Sequence, residues 1–265
     1  MTIRFIQITD HHLTEGDLLW GYSTGTALRT VLEHIAAHAG PIDAIVSTGD
    51  LTEHGSAAEY TIFRDLIGAE PGAAFPGPLL ADGAGLRGVP VYVLPGNHDD
   101  RPTLQRSLFP AGAPIAQLHG WFMIGGVRCI CLDWGNANQA VATPELYAFL
   151  AAALADDTPA ILLMHHHVVP MGHPRIDRLL PADVEQFAAQ IAGRNVLAIL
   201  SGHTHATFEG RIGATPVYGL RSTCFQFAMQ ADPDAPLLRC LQPLHYRIVE
   251  VDDGRLSTSI IEVPL

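Results

Sequence analysis

The chain has 265 residues, 48% of them hydrophobic, with a formal net charge of −12, enough apolar material for one sizeable core and a single domain over 1–265. All fifteen basic residues are arginine, which excludes Schiff-base chemistry and the P-loop lysine, and the acidic balance disfavours a nucleic-acid polymer, whose binding rests on basic contacts. No apolar run approaches the roughly 18 residues of a membrane span, and Met1-Thr2-Ile3-Arg4 leads into a strand without a charged leader, so a cytoplasmic protein off the membrane is expected.

Residues 3–9 read as a strand that stops at Asp10. Leu28, Val31, Leu32 and Ile35 have helical spacing within 27–39, and 42–46 is a second strand. Ile62, Phe63, Leu66 and Ile67 form a helical face within 59–67, before a third strand at 89–94. This β-α-β-α-β alternation predicts an α/β fold with a parallel sheet. Residues 70–88 are dense in Gly, Pro and Ala without periodicity and read as a loop. A hairpin turning at Gly125-Gly126 is expected over 121–132, then a helix over 144–154 with Thr143 as its N-cap. Residues 160–164 and 196–200 are buried strands separated by an amphipathic segment, 182–191. Two further hairpins are expected over 208–220 and 245–263, the latter with an Asp-Gly turn, so the chain should be parallel early and increasingly antiparallel late. The four cysteines lack CxxC spacing and read as buried thiols of a reducing compartment.

Polar clusters follow five of these apolar runs: Asp10-His11-His12, Gly49-Asp50, Gly96-Asn97-His98-Asp99, His165-His166-His167 and Gly202-His203-Thr204-His205. In open α/β sheets the ligand site lies beyond the carboxyl ends of the strands, so the clusters should converge. Carboxylate, amide and imidazole suit hard or borderline divalent ions, and one carboxylate can bridge two. Two ions about 3.5–4 Å apart can clamp the attacking and leaving oxygens of a phosphoryl transfer. Singly, each cluster is weak, because Asp after a strand is an ordinary turn or cap residue; the conjunction carries the inference. His34, His38, His119 and His245 read as structural, and His11 should point away from the ligands flanking it.

The order D-x-H, G-D, G-N-H-D, H, G-H-x-H resembles the calcineurin-like metallophosphoesterase superfamily. The flanking Phe5-Ile6-Gln7-Ile8-Thr9-Asp10, Gly49-Asp50-Leu51-Thr52-Glu53 and Arg221-Ser222-Thr223-Cys224-Phe225-Gln226-Phe227 are similar to its bacterial class III branch of cyclic-nucleotide and glycerophosphodiester phosphodiesterases. The resemblance covers 4–262 and implies a four-layer α/β/β/α sandwich. It implies that Asp10, His12 and His205 hold one ion, that Asn97, His165 and His203 hold another, and that Asp50 bridges them, with ions of the Fe, Mn, Zn or Co type. It implies that His98 binds no metal but contacts the phosphate, oriented by Asp99. A homodimer or higher oligomer is implied too, with residues around 179–244 contributing a cap or interface. Where the family commonly reads His-His-Pro-Pro, this chain reads His165-His166-His167-Val168-Val169; His165, directly after the strand, is assigned as ligand, with His166 as the fallback and His167 lining the cleft or exposed.

The expected reaction is attack of a metal-bridging hydroxide on a small phosphodiester, either a 3′,5′-cyclic nucleotide or a glycerophosphodiester. Substrate contacts are sought in His98 and His167, and in Trp20, Tyr22 and Arg221 from segments 15–22 and 221–229; Trp20 and Tyr22 have faces on which a base can stack. Arg175, Arg178 and Arg221 are candidates for a phosphate contact, and each reads rather as a surface or structural arginine. Two alternatives are a phosphomonoesterase or nucleotidase on the same metals and a metal-binding module without catalysis, the latter disfavoured by His98.

Overall fold

Runs such as Ile3-Arg4-Phe5-Ile6-Gln7-Ile8 and Ala160-Ile161-Leu162-Leu163-Met164 offer apolar side chains to both sides of a strand, which a sheet buries fully only when both its faces are covered. The computed structural model describes residues 2–112, 115–228, 232 and 238–264. Its first half runs β1 (Ile3–Ile8), the small hairpin β2 (Leu18–Leu19) and β3 (Tyr22–Ser23), α1 (Thr24–His38), β4 (Ala44–Thr48), α2 (Ala57–Ile67), β5 (Leu79–Ala81), β6 (Val89–Leu94) and α3 (Arg101–Leu108). The second half runs β7 (Gly120–Ile124), β8 (Val127–Leu132), α4 (Pro144–Ala153), β9 (Ala160–Met164), α5 (Pro174–Asp177), α6 (Val184–Ile191), β10 (Val196–Ser201), β11 (Phe208–Ile212) and β12 (Thr215–Gly219). Two hairpins close the chain, β13 (Gln226–Ala228) with β14 (Leu238–Cys240) and β15 (Leu244–Asp252) with β16 (Arg255–Val263).

The two main sheets have the orders β16-β15-β1-β4-β6-β5 and β11-β12-β10-β9-β8-β7. Alternate residues of each strand serve different cores. Ile6, Ile8 and Ile45 pack with Leu28, Leu32 and Phe63 of α1 and α2. Phe5, Val46, Ile161, Leu163 and Leu200 fill the space between the sheets. Leu162, Met164 and Ile199 meet Leu150 of α4 and Phe187 of α6. The result is the expected α/β/β/α sandwich. Truncating a fully buried side chain such as Leu162 to Ala would cost about 2–5 kcal/mol.

Several expectations need correction. Residues 79–81, read as loop, form β5, which pairs antiparallel with β6 in the register Leu79↔Val91; three residues are too few to display an alternation. The late antiparallel hairpins are present as expected, β11 with β12 and β15 with β16, but a parallel core persists beside them. β8, β9, β10 and β12 form a parallel core, and β15 crosses back to pair antiparallel with β1, Phe5 facing Val249, because Val249 and Val251 complete the inter-sheet core. α3 has no long apolar face to betray it; Asp100 caps it by accepting from Thr103 N at 2.9 Å. α2 starts at Ala57 because Ser56 and Glu59 cap each other reciprocally. Within 179–244, α6, β10, β11 and β12 belong to the second half of the sandwich, while β13 and β14 form a separate two-stranded sheet. Met229, at the end of the expected substrate segment, lies outside the described residues.

Candidate metal centre and substrate cleft

The parallel strands deliver their carboxyl ends to one rim. Asp10 N bonds Gly49 O at 3.0 Å, Gly202 N bonds His165 O at 3.0 Å, and the buried Gln7 Nε2 donates to Thr48 Oγ1 and Ser201 O, each at 3.1 Å, tying β1 and β4 to β10 across the sandwich. Gly96 and Gly202 leave no room for a side chain: a Cβ would strike Asp50 in the first case and Thr9 and Asp10 in the second. Asp10, His12, Asp50, His203 and His205 all sit at positive φ, between 47° and 69°. Asp and His tolerate this region better than most residues, yet five such positions on one rim amount to local strain concentrated there.

The seven residues expected as ligands converge. His12 Nε2 lies 3.0 Å from His205 Nε2 and 3.6 Å from Asp50 Oδ2, and His205 Nε2 lies 3.4 Å from Asp10 Oδ1. Beside them, Asn97 Oδ1 is 3.0 Å from His165 Nε2 and 2.9 Å from His203 Nδ1. Asp50 joins the two groups: its Oδ2 reaches His165 Nε2 at 3.2 Å.

The opposite ring nitrogens assign the tautomers. His12 Nδ1 is 2.7 Å from Glu53 Oε2, His165 Nδ1 is 2.9 Å from Thr48 O, and His205 Nδ1 is 2.8 Å from Phe225 O. A neutral imidazole that donates from Nδ1 presents a lone pair at Nε2. Lone pairs of His12 and His205 then face each other at 3.0 Å, and that of His165 faces the Asn97 and Asp50 oxygens at 3.0 and 3.2 Å. Such a set repels itself unless cations or extra protons lie between the donors, so the donor chemistry fits divalent ions.

The electrostatics agree. Burial alone would lower the His165 imidazole, but Asp50 and Asp10 carry it up to about 9. Burial opposes ionisation of Asp50, and His165 with His12 outweighs it, holding the carboxyl well below its usual range. Asp10 is lowered likewise, burial being outweighed by His205 and His165. Burial and the neighbouring His166 and His165 hold His203 well below the usual imidazole value. The site therefore favours anionic carboxylates facing positive charge.

The remaining candidates separate. His11 is buried between Thr223 Oγ1 and Ser47 Oγ, 2.8 Å from each, and is turned from the centre as expected. His166 Nε2 lies 2.8 Å from Ala137 O, leaving His165 as the histidine of that cluster that faces the other donors. His167 is neither cleft-lining nor exposed: it is buried, its ring stacked 5.8 Å from that of His203. Asp99 does not orient the His98 ring. Its carboxylate accepts from Gly96 N, Leu51 N, Thr52 Oγ1 and Tyr60 Oη, holding the Asp50 and Asn97 loops together. His98 Nδ1 instead lies 3.0 Å from Glu53 O and 3.4 Å from Glu53 Oε2.

A cleft of about 330 Å³ opens over the centre, lined by His98 and Trp20 as expected. Tyr22 and Arg221 are not in its wall: Tyr22 stacks behind Phe225 at 5.8 Å, and Arg221 Nη1 is 3.5 Å from His245. Lining residues that the sequence did not single out are Glu53, Asn138, Ile176, Leu179, Phe225, Phe227 and Arg239. Phe225 and Phe227 fall in a quoted motif, whereas Arg239 carries no local signal.

A family model described as calcineurin-like phosphoesterase matches residues 3–207. The 3′,5′-cyclic adenosine monophosphate phosphodiesterase CpdA of Pseudomonas aeruginosa is 30% identical, covering 99% of this chain and 90% of that protein. A cAMP/cGMP dual specificity phosphodiesterase of Mycobacterium tuberculosis is 33% identical over 83% of this chain and 67% of that protein. Among solved structures, the purple acid phosphatase PPD1 of yellow lupin seeds superposes with a TM-score of 0.70 at 16% identity, covering 99% of this chain. This chain spans 52% of that structure's length, a likeness of fold.

Proposed function

The chain belongs to the calcineurin-like phosphoesterase family, and on that premise we propose that it is a metal-dependent phosphodiesterase whose substrates are small diesters, 3′,5′-cyclic nucleotides first among them. The observation that carries the reading is the convergence of buried imidazole nitrogens and carboxylate oxygens to within 3.0–3.6 Å of one another. Asp10, His12 and His205 would hold one ion and Asn97, His165 and His203 a second, with Asp50 between them; the metals are of the Fe, Mn, Zn or Co type. When bound, such ions supply Lewis acidity, acidifying a water and drawing charge from the phosphoryl oxygens.

The chain's own part is positioning and proton transfer. Nδ1 of His98 donates to the Glu53 carbonyl at 3.0 Å, which leaves Nε2 for the substrate. From there an N–H at Nε2 would stabilise the charge growing on the phosphoryl oxygens and pass its proton to the leaving alkoxide as a water oxygen bonds to phosphorus and the ester P–O bond breaks. Asp99 acts behind this, pinning the loop that carries Asn97 and His98. Two relatives named for cyclic-nucleotide hydrolysis favour that substrate over glycerophosphodiesters.

Among the described residues no helix is long and apolar enough to cross a membrane. All four thiols are free, which supports a cytoplasmic setting. Leu238 and Leu241, 55% and 57% exposed on and just after β14, support a homodimer formed through the part of the chain after β12; a monomer in solution scattering would remove that element. The activity is tested by kcat/KM for cyclic AMP, glycerophosphocholine, bis(p-nitrophenyl) phosphate and p-nitrophenyl phosphate, alongside metal content. Preference for the diesters is expected. Preference for the monoester would replace the reading with a nucleotidase, and full metal content without hydrolysis would replace it with a binding module.

A further inference from the structure

Trp20 and Gly21 are the two residues of the β2–β3 turn, at φ 50° and 87°. Paired left-handed positions of this kind are the natural place for Asn-Gly or Asp-Gly, and a bulky tryptophan there is strained. Such strain persists where it holds a side chain in a place that serves a ligand. The Trp20 indole is 50% exposed at the cleft, its ring 5.2 Å from Phe225 in a T-shaped contact. Phe225 and Phe227 lie 4.7 and 4.8 Å from the His205 ring, so an aromatic wall runs from the metal centre to the Trp20 turn. Arg239, on β14, already covers the outer end: its Cζ is 3.4 Å from the centre of the indole.

We propose that Trp20, Phe225, Phe227 and Arg239 form the leaving-group subsite, and that the Arg239 guanidinium lying on Trp20 makes it accept a neutral planar ring, such as a nucleobase, and reject a quaternary ammonium headgroup. The inference rests on the diesterase reading. Without Arg239, a wall of aromatic faces would suit a trimethylammonium group, which is drawn to the negative face of a π-system. With Arg239 in place that face is taken, and a second cation is repelled. A guanidinium is planar and weakly hydrated, so a flat heterocycle can stack on it or slide against the indole beside it. Discrimination is then set by exclusion as much as by attraction.

The test compares wild type, Arg239→Ala, Arg239→Gln and Trp20→Ala on cyclic AMP, glycerophosphocholine and glycerophosphoglycerol, whose leaving alcohol is uncharged. Both Arg239 variants are expected to raise KM for cyclic AMP about three- to tenfold with little change in kcat, and to raise kcat/KM for glycerophosphocholine relative to glycerophosphoglycerol by about the same factor. Trp20→Ala is expected to raise KM for cyclic AMP without any gain on glycerophosphocholine. An unchanged ratio between the two glycerophosphodiesters in both Arg239 variants overturns the inference while leaving the diesterase reading intact. Failure of the wild type to hydrolyse bis(p-nitrophenyl) phosphate overturns both.

Discussion

The Glu53 carboxylate lies 2.7 Å from His12 Nδ1, and the backbone carbonyl of the same residue takes His98 Nδ1 at 3.0 Å, so one residue orients a proposed metal ligand through its side chain and the proposed acid through its backbone. Partners behind a ligand raise its basicity and fix its tautomer, and their loss typically costs about 10–100-fold in metal affinity. Glu53→Gln is therefore expected to release metal at lower chelator concentration, with the loss seen in metal content as well as in rate. His98→Ala should behave oppositely, keeping its metals while kcat falls about 10²–10⁴-fold. A His98→Ala enzyme with normal kcat would remove the acid role. At this scale the sequence was informative about residue type but poor on direction: His165, His166 and His167 are adjacent, yet only the first faces Asn97 and Asp50.

Among the elements, α3 shows how a short helix steadies the site. Its first residue, Arg101, is buried and donates to Asp133 Oδ1 at 2.7 Å, to Gly96 O and Asp99 O at 2.7 Å each, and to Gly135 O at 2.6 Å. The guanidinium thus clamps the Asn97-His98 loop to the end of β8. Burial would raise the Asp133 carboxyl, but Arg101 outweighs it and the folded value is depressed. A depressed carboxyl contributes stability that is full above its unfolded pKa of about 3.9 and is lost as pH falls through the folded value. Asp133→Asn should cost about 3–5 kcal/mol at neutral pH, since it leaves the Arg101 charge buried without its partner. It should also flatten the fall of the urea midpoint below about pH 4; parallel pH profiles for variant and wild type would contradict this. Helix spacing did not reveal α3, because its eight residues carry only two buried leucines, Leu104 and Leu108.

Across the whole molecule, the donor set spans both sheets: Asp10, Asp50 and Asn97 follow β1, β4 and β6, while His165 and His203 follow β9 and β10. An ion shared by these residues binds the folded state and not the separated strands, and at 100 times its Kd it adds about 2.7 kcal/mol. Chelation is expected to lower Tm and readdition of Mn or Zn to restore it. Identical melting with and without chelator would show that the cluster holds no ion that matters to the fold. The inter-sheet core of Phe5, Val46, Leu163 and Leu200 remains in either case, so the chelated protein should melt earlier but still cooperatively.

The sequence by itself determined the longer strands, the burial of 160–164 and 196–200 and the five polar clusters at strand ends, because a period of two and the stop of an apolar run are local properties. Only the tertiary structure decided which ring nitrogen faces which oxygen, that Asp99 serves the backbone while Glu53 serves the histidines, and that Arg239 lies on Trp20. Those outcomes depend on the sign of φ at single residues and on partners up to 219 positions apart in the chain. Neither quantity is written in the spacing of apolar and polar residues.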